Sequence, residues 1–215
     1  IYSDGFAETG EEGRKRQEGL QAAARKGGVR LIGPNCMGII NTHMPCALSI
    51  NAVLDIDHLN RGPISLISQS GSVMGALLSR AQGRGLGYSK LVSLGNECDL
   101  SVGEILDLMV DDPETQGIQL FLETIRQPGQ LAQAARRAYA AGKPVVVYKL
   151  GKSDIARELA ASHTGAMTGS DDSANAFFQR NGILRVETLE AMIELPTLLL
   201  GSRPVKGRQI GRAHV

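Results

Sequence analysis

The sequence predicts an α/β fold, a doubly wound parallel sheet. Three observations predict it. Short apolar, β-branched runs alternate with helix-like stretches along most of the chain. The central runs are nearly continuous in apolar residues, as expected for strands covered on both faces. Turn formers join the runs to the helical stretches, and the chain of 215 residues contains 26 glycines.

The first helical stretch is Glu11–Lys26, rich in Glu, Arg, Gln and Ala. The first β-branched run follows at Val29–Ile32. Further strands are predicted at Ile64–Ile67, Lys90–Leu94, Ile118–Leu122 and Val145–Tyr148, with a short one at Ile183–Val186. The helix over Ser72–Gln82 is marked by Val73, Leu77, Leu78 and Ala81 at helical spacing. Val102–Val110 and Gly129–Ala141 follow the same logic, and Ser173–Arg180 and Leu189–Leu200 complete the set. Gly142-Lys143-Pro144 ends a helix and opens a strand. Asp111-Asp112-Pro113-Glu114 is a similar boundary. Weak periodicity over 42–61 reads as a connection. Residues 1–41 then form the tail of one α/β domain and 62–200 a second one. The tail 201–215 reads as a truncated linker or vector-derived sequence, and the initial Ile as the mark of a fragment.

Composition narrows the function. Formal net charge is +1 with both signs interspersed, and aromatics are only 4%. There is no basic stripe for nucleic acid and no stacking platform for bases. The three cysteines, Cys36, Cys46 and Cys98, form no CxxC and imply neither a disulfide framework nor a zinc site. No run approaches the roughly 20 apolar residues of a membrane span. A reducing cytoplasm is the expectation.

Four places could carry chemistry. Ser162–Ser170 sets His163 among small and hydroxyl residues, including Gly165 and Ala166. Such a loop lets a backbone approach a ligand and can bind an anion through free N–H groups. His163 there could be a nucleophile, a general base, a phosphate carrier or simply a solvated loop histidine. Ile67–Gly75 runs from a strand through Ser70, Gly71 and Ser72 into a helix. Helix starts bind phosphate, although a hydroxyl there also serves as a plain cap. Glu123 ends an apolar strand, where ligands sit in open α/β sheets, but a strand-end Glu facing water is the simpler reading. Gly33–Gly38 is a turn carrying Asn35 and Cys36. No neighbouring cation activates the thiol, so a structural turn is the stronger reading from the residues alone.

The motifs occur in a recognisable order: Gly5–Gly10, Ile32–Gly38, Ser68–Gly71, Ser93–Asn96, Lys143–Val146 and Ser162–Ala166. This set resembles the NDP-forming acyl-CoA synthetases, relatives of the succinyl-CoA synthetase α subunit. The resemblance implies that 1–41 end a Rossmann-like CoA-binding domain and that 62–200 form a flavodoxin-like ligase domain. It implies His163 as the phosphohistidine and Glu123 as the acid that hydrogen-bonds it. It implies that Ser70, Gly71, Ser72, Gly165 and Ala166 hold phosphate, and that Asn35 and Cys36 lie near the CoA thiol. Coenzyme A and a carboxylic acid or acyl-CoA would be the reactants here. ADP or ATP with Mg would bind an ATP-grasp domain or subunit outside this chain, which places no metal within it. The fragment alone would be inactive, and the complete enzyme would be an oligomer. Two rivals follow. One is a non-catalytic domain of a protein acetyltransferase that senses acyl-CoA or nucleotide, disfavoured by the presence of both His163 and Glu123. The other is an FMN binder, disfavoured by scarce aromatics.

Overall fold

A computed structural model describes residues 1–44, 46–151 and 171–200. Its strands are β1 (Gly38–Asn41), β2 (Cys46–Ser49), β3 (Arg61–Ser68), β4 (Tyr88–Ser93), β5 (Gly117–Leu122), β6 (Val145–Lys149) and β7 (Ile183–Val186). Its helices are α1 (Glu11–Gly27), α2 (Gly71–Gly83), α3 (Val102–Asp111), α4 (Pro128–Ala140), α5 (Asp171–Arg180) and α6 (Leu189–Leu199).

One seven-stranded sheet runs β2-β1-β4-β3-β5-β6-β7. From β4 to β7 the neighbours are parallel, and β1 and β2 add an antiparallel edge. The parallel part has the flavodoxin-like order, with β3 and β5 side by side where the winding reverses. Helices cover both faces. On one, α3, α4 and Phe178 of α5 pack against Ile67, Leu120 and Val147. On the other, α2 and α6 bury Met74, Leu77, Leu78 and Met192 against Leu66, Phe121 and Val146. Successive strand residues alternate between the two cores, which is why these strands read as unbroken apolar runs. Two of the buried polar groups pair with each other: the Tyr88 hydroxyl donates to Gln119 Oε1 at 2.9 Å.

Two expectations need correction. Val29–Ile32 is not a ladder strand. Its backbone groups take isolated partners: Leu100 N donates to Leu31 O, Leu31 N donates to Asp99 Oδ2, and the amino terminus donates to Ile32 O. The stretch 42–61 is also more than a connection. It carries β2, and β1 just before it pairs directly with β4 through Ile39, Ile40 and Asn41. Both strands are only four residues long, too short to show a period.

Candidate functional site at the sheet switch point

The C-terminal ends of β3 and β5 lie side by side, with Ser68 opposite Phe121. Ligands bind at this place in open α/β sheets because the strand order reverses there and leaves a crevice. Here the crevice is a small cleft of about 20 Å³ lined by Asn35, Gln69, Gly95, Asn96, Glu123, Thr124 and Arg126.

Gln69, buried just past β3, organises it. Its Oε1 accepts from Glu123 N at 2.7 Å and from Thr124 N at 3.0 Å. Its Nε2 donates to Glu97 Oε2 at 2.7 Å and to Thr124 O at 2.9 Å. One amide thus satisfies the turn that presents Glu123. Glu123 itself is only 5% exposed. The reading of a strand-end glutamate facing water is therefore corrected: the chain turns inward after Leu122 because Gln69 captures two successive N–H groups there.

Glu97, buried, accepts from the Gln69 amide. It holds the first N–H of α3, Val102 N, at 2.7 Å through Oε1. Burial pushes its pKa up, against the opposing bonds from Val102 and Gln69. The Arg126 guanidinium approaches Glu97 Oε2 at 4.0 Å. Asn96 Nδ2 donates to Gln17 Oε1 at 3.0 Å and also to Glu8 Oε2, which anchors the N-terminal segment on the loop after β4. Burial raises the Glu8 carboxyl, but the Asn96 amide and backbone N–H donors outweigh it and hold the group below its usual range.

Ser70 is the N-cap of α2, its Oγ accepting from Val73 N at 3.4 Å and lying 3.1 Å from Ser72 Oγ. Gly71 opens the helix where a Cβ would meet Met37 Cγ at 2.1 Å, so only glycine lets the 33–38 turn lie against α2. Asn35, at φ 56°, lines the cleft, and its Nδ2 donates to Asn96 Oδ1 at 3.4 Å. Cys36 does not reach the cleft lining. It is 5% exposed, and its thiol donates to Ile1 O at 3.4 Å. The structure thus gathers Asn35 and Glu123 at one cleft, with Ser70, Gly71 and Ser72 leading on from its Gln69, and turns Cys36 inward. His163, Gly165 and Ala166 lie outside the described residues.

Sequence reasoning missed Gln69, Glu97 and Arg126. Gln69 stood inside a quoted motif, yet its bonds reach residues 28 to 55 positions away, which no local pattern encodes. A polar residue directly after an apolar strand was the available signal. Among the described residues no cluster of His, Cys, Asp and Glu could hold a metal, and no helix is long and apolar enough to cross a membrane.

Fold and crevice together define a doubly wound α/β domain with a polar cleft at its switch point. The chain belongs to the family of succinyl-CoA ligase-like flavodoxin domains, whose model matches residues 61–199. It is 34% identical over 210 residues to the ADP-forming acetate–CoA ligase II subunit alpha of Pyrococcus furiosus, covering 98% of this chain and 44% of the relative. It is 38% identical over 208 residues to a trans-feruloyl-CoA synthase of an unknown prokaryotic organism, covering 96% of this chain and 29% of the relative. Among solved structures, the dinucleotide-forming acetyl-coenzyme A synthetase 1 of Ca. Korarchaeum cryptofilum, in complex with phosphate and ADP, superposes with a TM-score of 0.87 at 29% identity. That match covers 96% of this chain and 44% of the other. The chain thus spans less than half the length of these relatives.

Proposed function

We propose that this chain is the phosphoryl-transfer part of an NDP-forming acid–CoA ligase, with His163 as the phosphate carrier and Glu123 as its orienting partner. The observation that carries the reading is the burial of Glu123 at the switch point, fixed through its own N–H by Gln69. A carboxylate held there can accept a hydrogen bond from an imidazole, select its tautomer and stabilise the charge that forms on phosphorylation. The last described residues before the segment that bears His163 lie beside this point. Leu150 N donates to Leu122 O at 2.8 Å, so the chain exits β6 directly alongside Glu123. His163 lies twelve positions after Gly151 and eight before Asp171, a tether ample to span the cleft at roughly 3.3 Å per residue.

A carboxylic acid and a thiol do not condense unaided in water. In the synthetic direction the phosphoryl group of phosphohistidine passes to a carboxylate oxygen of the acid, the P–N bond breaks, and the imidazole is released. The thiol sulfur of coenzyme A then attacks the carbonyl of the acyl phosphate and expels inorganic phosphate. Two easier displacements replace one hard one. The N-terminus of α2, with Ser70, Gly71 and Ser72, is suited to phosphoryl oxygens. Gly165 and Ala166, beside His163, would donate their backbone N–H groups to the same oxygens. Asn35 stands on the cleft where the acyl phosphate meets the thiol, and Cys36 shapes its turn. In this reading the Rossmann-like domain ending at residue 41 brings coenzyme A. An ATP-grasp domain or subunit brings the Mg-nucleotide. The chain alone then cannot complete the reaction.

Intact-mass measurement of the full-length protein after incubation with Mg-ATP tests this. The expected result is an acid-labile phosphate that is absent in His163→Ala and strongly reduced in Glu123→Gln. A folded protein that binds coenzyme A or nucleotide yet takes no phosphate overturns the reading, in favour of a sensing module.

A further inference from the structure

We infer that Arg126 is the residue that binds the carboxylate head of the acid substrate, an assignment that rests on the function proposed above. The cleft is walled by polar side chains, and their hydrogen bonds decide which of them can bind a ligand. Gln69 makes four bonds, to Glu97, Glu123 and Thr124. Asn96 donates to Glu8 and Gln17 and accepts from Asn35. Glu97 is satisfied by Gln69 and Val102. Arg126 differs. Its side chain is 29% exposed, and among the described residues its nearest acid is Glu97 at 4.0 Å, beyond hydrogen-bond distance. Arg126 lines the cleft, and among the described residues its five N–H donors have no hydrogen-bond acceptor. It stands three positions along the chain from Glu123, which lines the same cleft.

A planar guanidinium presents two parallel donors that match a carboxylate, and the match persists when one oxygen becomes phosphorylated. The size of the cleft agrees. About 20 Å³ admits little more than one water-sized group, so the acid would place its head at the mouth and its remainder outside. Such a site reads the feature common to all acids and leaves the identity of the acid to surfaces elsewhere. It is consistent with relatives named for acids as different as acetate and ferulate.

The test uses the full-length protein with its nucleotide-binding partner, and whichever of acetate and ferulate turns over better. Arg126→Gln should raise KM for the acid about tenfold or more, the loss expected for a charge-assisted hydrogen bond. KM for coenzyme A should stay within about twofold. Arg126→Lys should recover part of the loss, since it keeps the charge but not the fork. Phosphorylation from Mg-ATP, a half-reaction that needs no acid, should persist in Arg126→Gln. An acid KM within about twofold of the parent overturns the inference and leaves the phosphohistidine reading intact. Loss of phosphorylation from ATP in Arg126→Gln also overturns it, by giving Arg126 to the phosphoryl group. A parent protein that takes no phosphate overturns both.

Discussion

Gln69 and Lys149 show how single buried side chains set the conditions at the ends of the strands. Gln69 is neutral, so it fixes Glu123 and Thr124 through their backbone N–H groups without adding charge beside the carboxylate. Lys149 is the opposite case. It ends β6, is 8% exposed, and donates only to Leu150 O among the described residues. Burial lowers its pKa, and the nearby Arg185 charge lowers it further, while Asp171 and Glu123 oppose the shift. Arg185 meets Asp171 at 2.6 Å, and its Nε, buried, has no hydrogen-bond partner among the described residues. The sign of the pH effect follows. Between the lowered folded value and the ordinary lysine value of 10.5, the unfolded chain binds more protons, so stability rises with pH through that window. At neutral pH the cost of burying the charge is fully present. Lys149→Met should therefore stabilise the protein by about 1 kcal/mol at pH 7, and the advantage should shrink towards pH 10. Thermal melts of both proteins at the two pH values check it. A variant that melts lower at pH 7, or whose advantage does not shrink, counts against a net cost of burying this charge.

At the scale of elements, the cleft is assembled from loops whose contacts need glycine. Gly95 follows β4 at φ 54°, and a Cβ there would meet Asn35 O at 2.1 Å and Pro34 O at 2.2 Å. Those are backbone atoms, which cannot step aside as a flexible side chain can. Gly95→Ala should cost about 2 kcal/mol or more, read from the denaturant midpoint, and should displace Asn35 from the cleft. Gly19 in α1 is the contrast. Nothing lies within 4 Å of its added Cβ, and Gly19→Ala should stabilise by about 0.5–1 kcal/mol. An equal response at both positions would refute the close-approach argument. The elements themselves were largely legible. The strands at 118–122 and 183–186 and the helix of Val102 were visible because burial on both faces or on one stripe leaves a pattern in the chain. Ser101 also caps α3 in a capping box with Glu104. Loop-to-loop contacts such as that of Gly95 with the 33–36 turn leave no such pattern. Their cause lies about 60 residues away, so the motifs Ile32–Gly38 and Ser93–Asn96 could be quoted but not joined.

At the scale of the molecule, the family match begins at residue 61, but the sheet does not. β1 covers the outer edge of β4 over Ile39 to Asn41, and Ile40 is a buried member of the core beneath α2. The 3-10 turn Ala52–Leu54 adds Val53 and Leu54 to that same core. The hydrogen bonds of Asn96 and Cys98 to Pro34 and Gly33 tie the N-terminal segment to the loop after β4. A chain that starts at Arg61 would keep every parallel strand and all helices but α1. It would, however, expose the β4 edge, remove Ile40 from the core, and take Asn35 from the cleft. An open strand edge invites pairing with other chains, and loss of one buried isoleucine alone costs about 2–5 kcal/mol. The fragment 61–215 should therefore melt well below the fragment 1–215 and should associate as its concentration rises. Fragment 38–215, which restores β1 and β2, should recover most of the stability but not the polar anchoring of Asn96 to Glu8 and Gln17. Melting temperature and sedimentation of the three fragments separate these contributions. Equal stability of all three would mean that the antiparallel edge is an ornament of the sheet, and that the fold is complete from Arg61 onward.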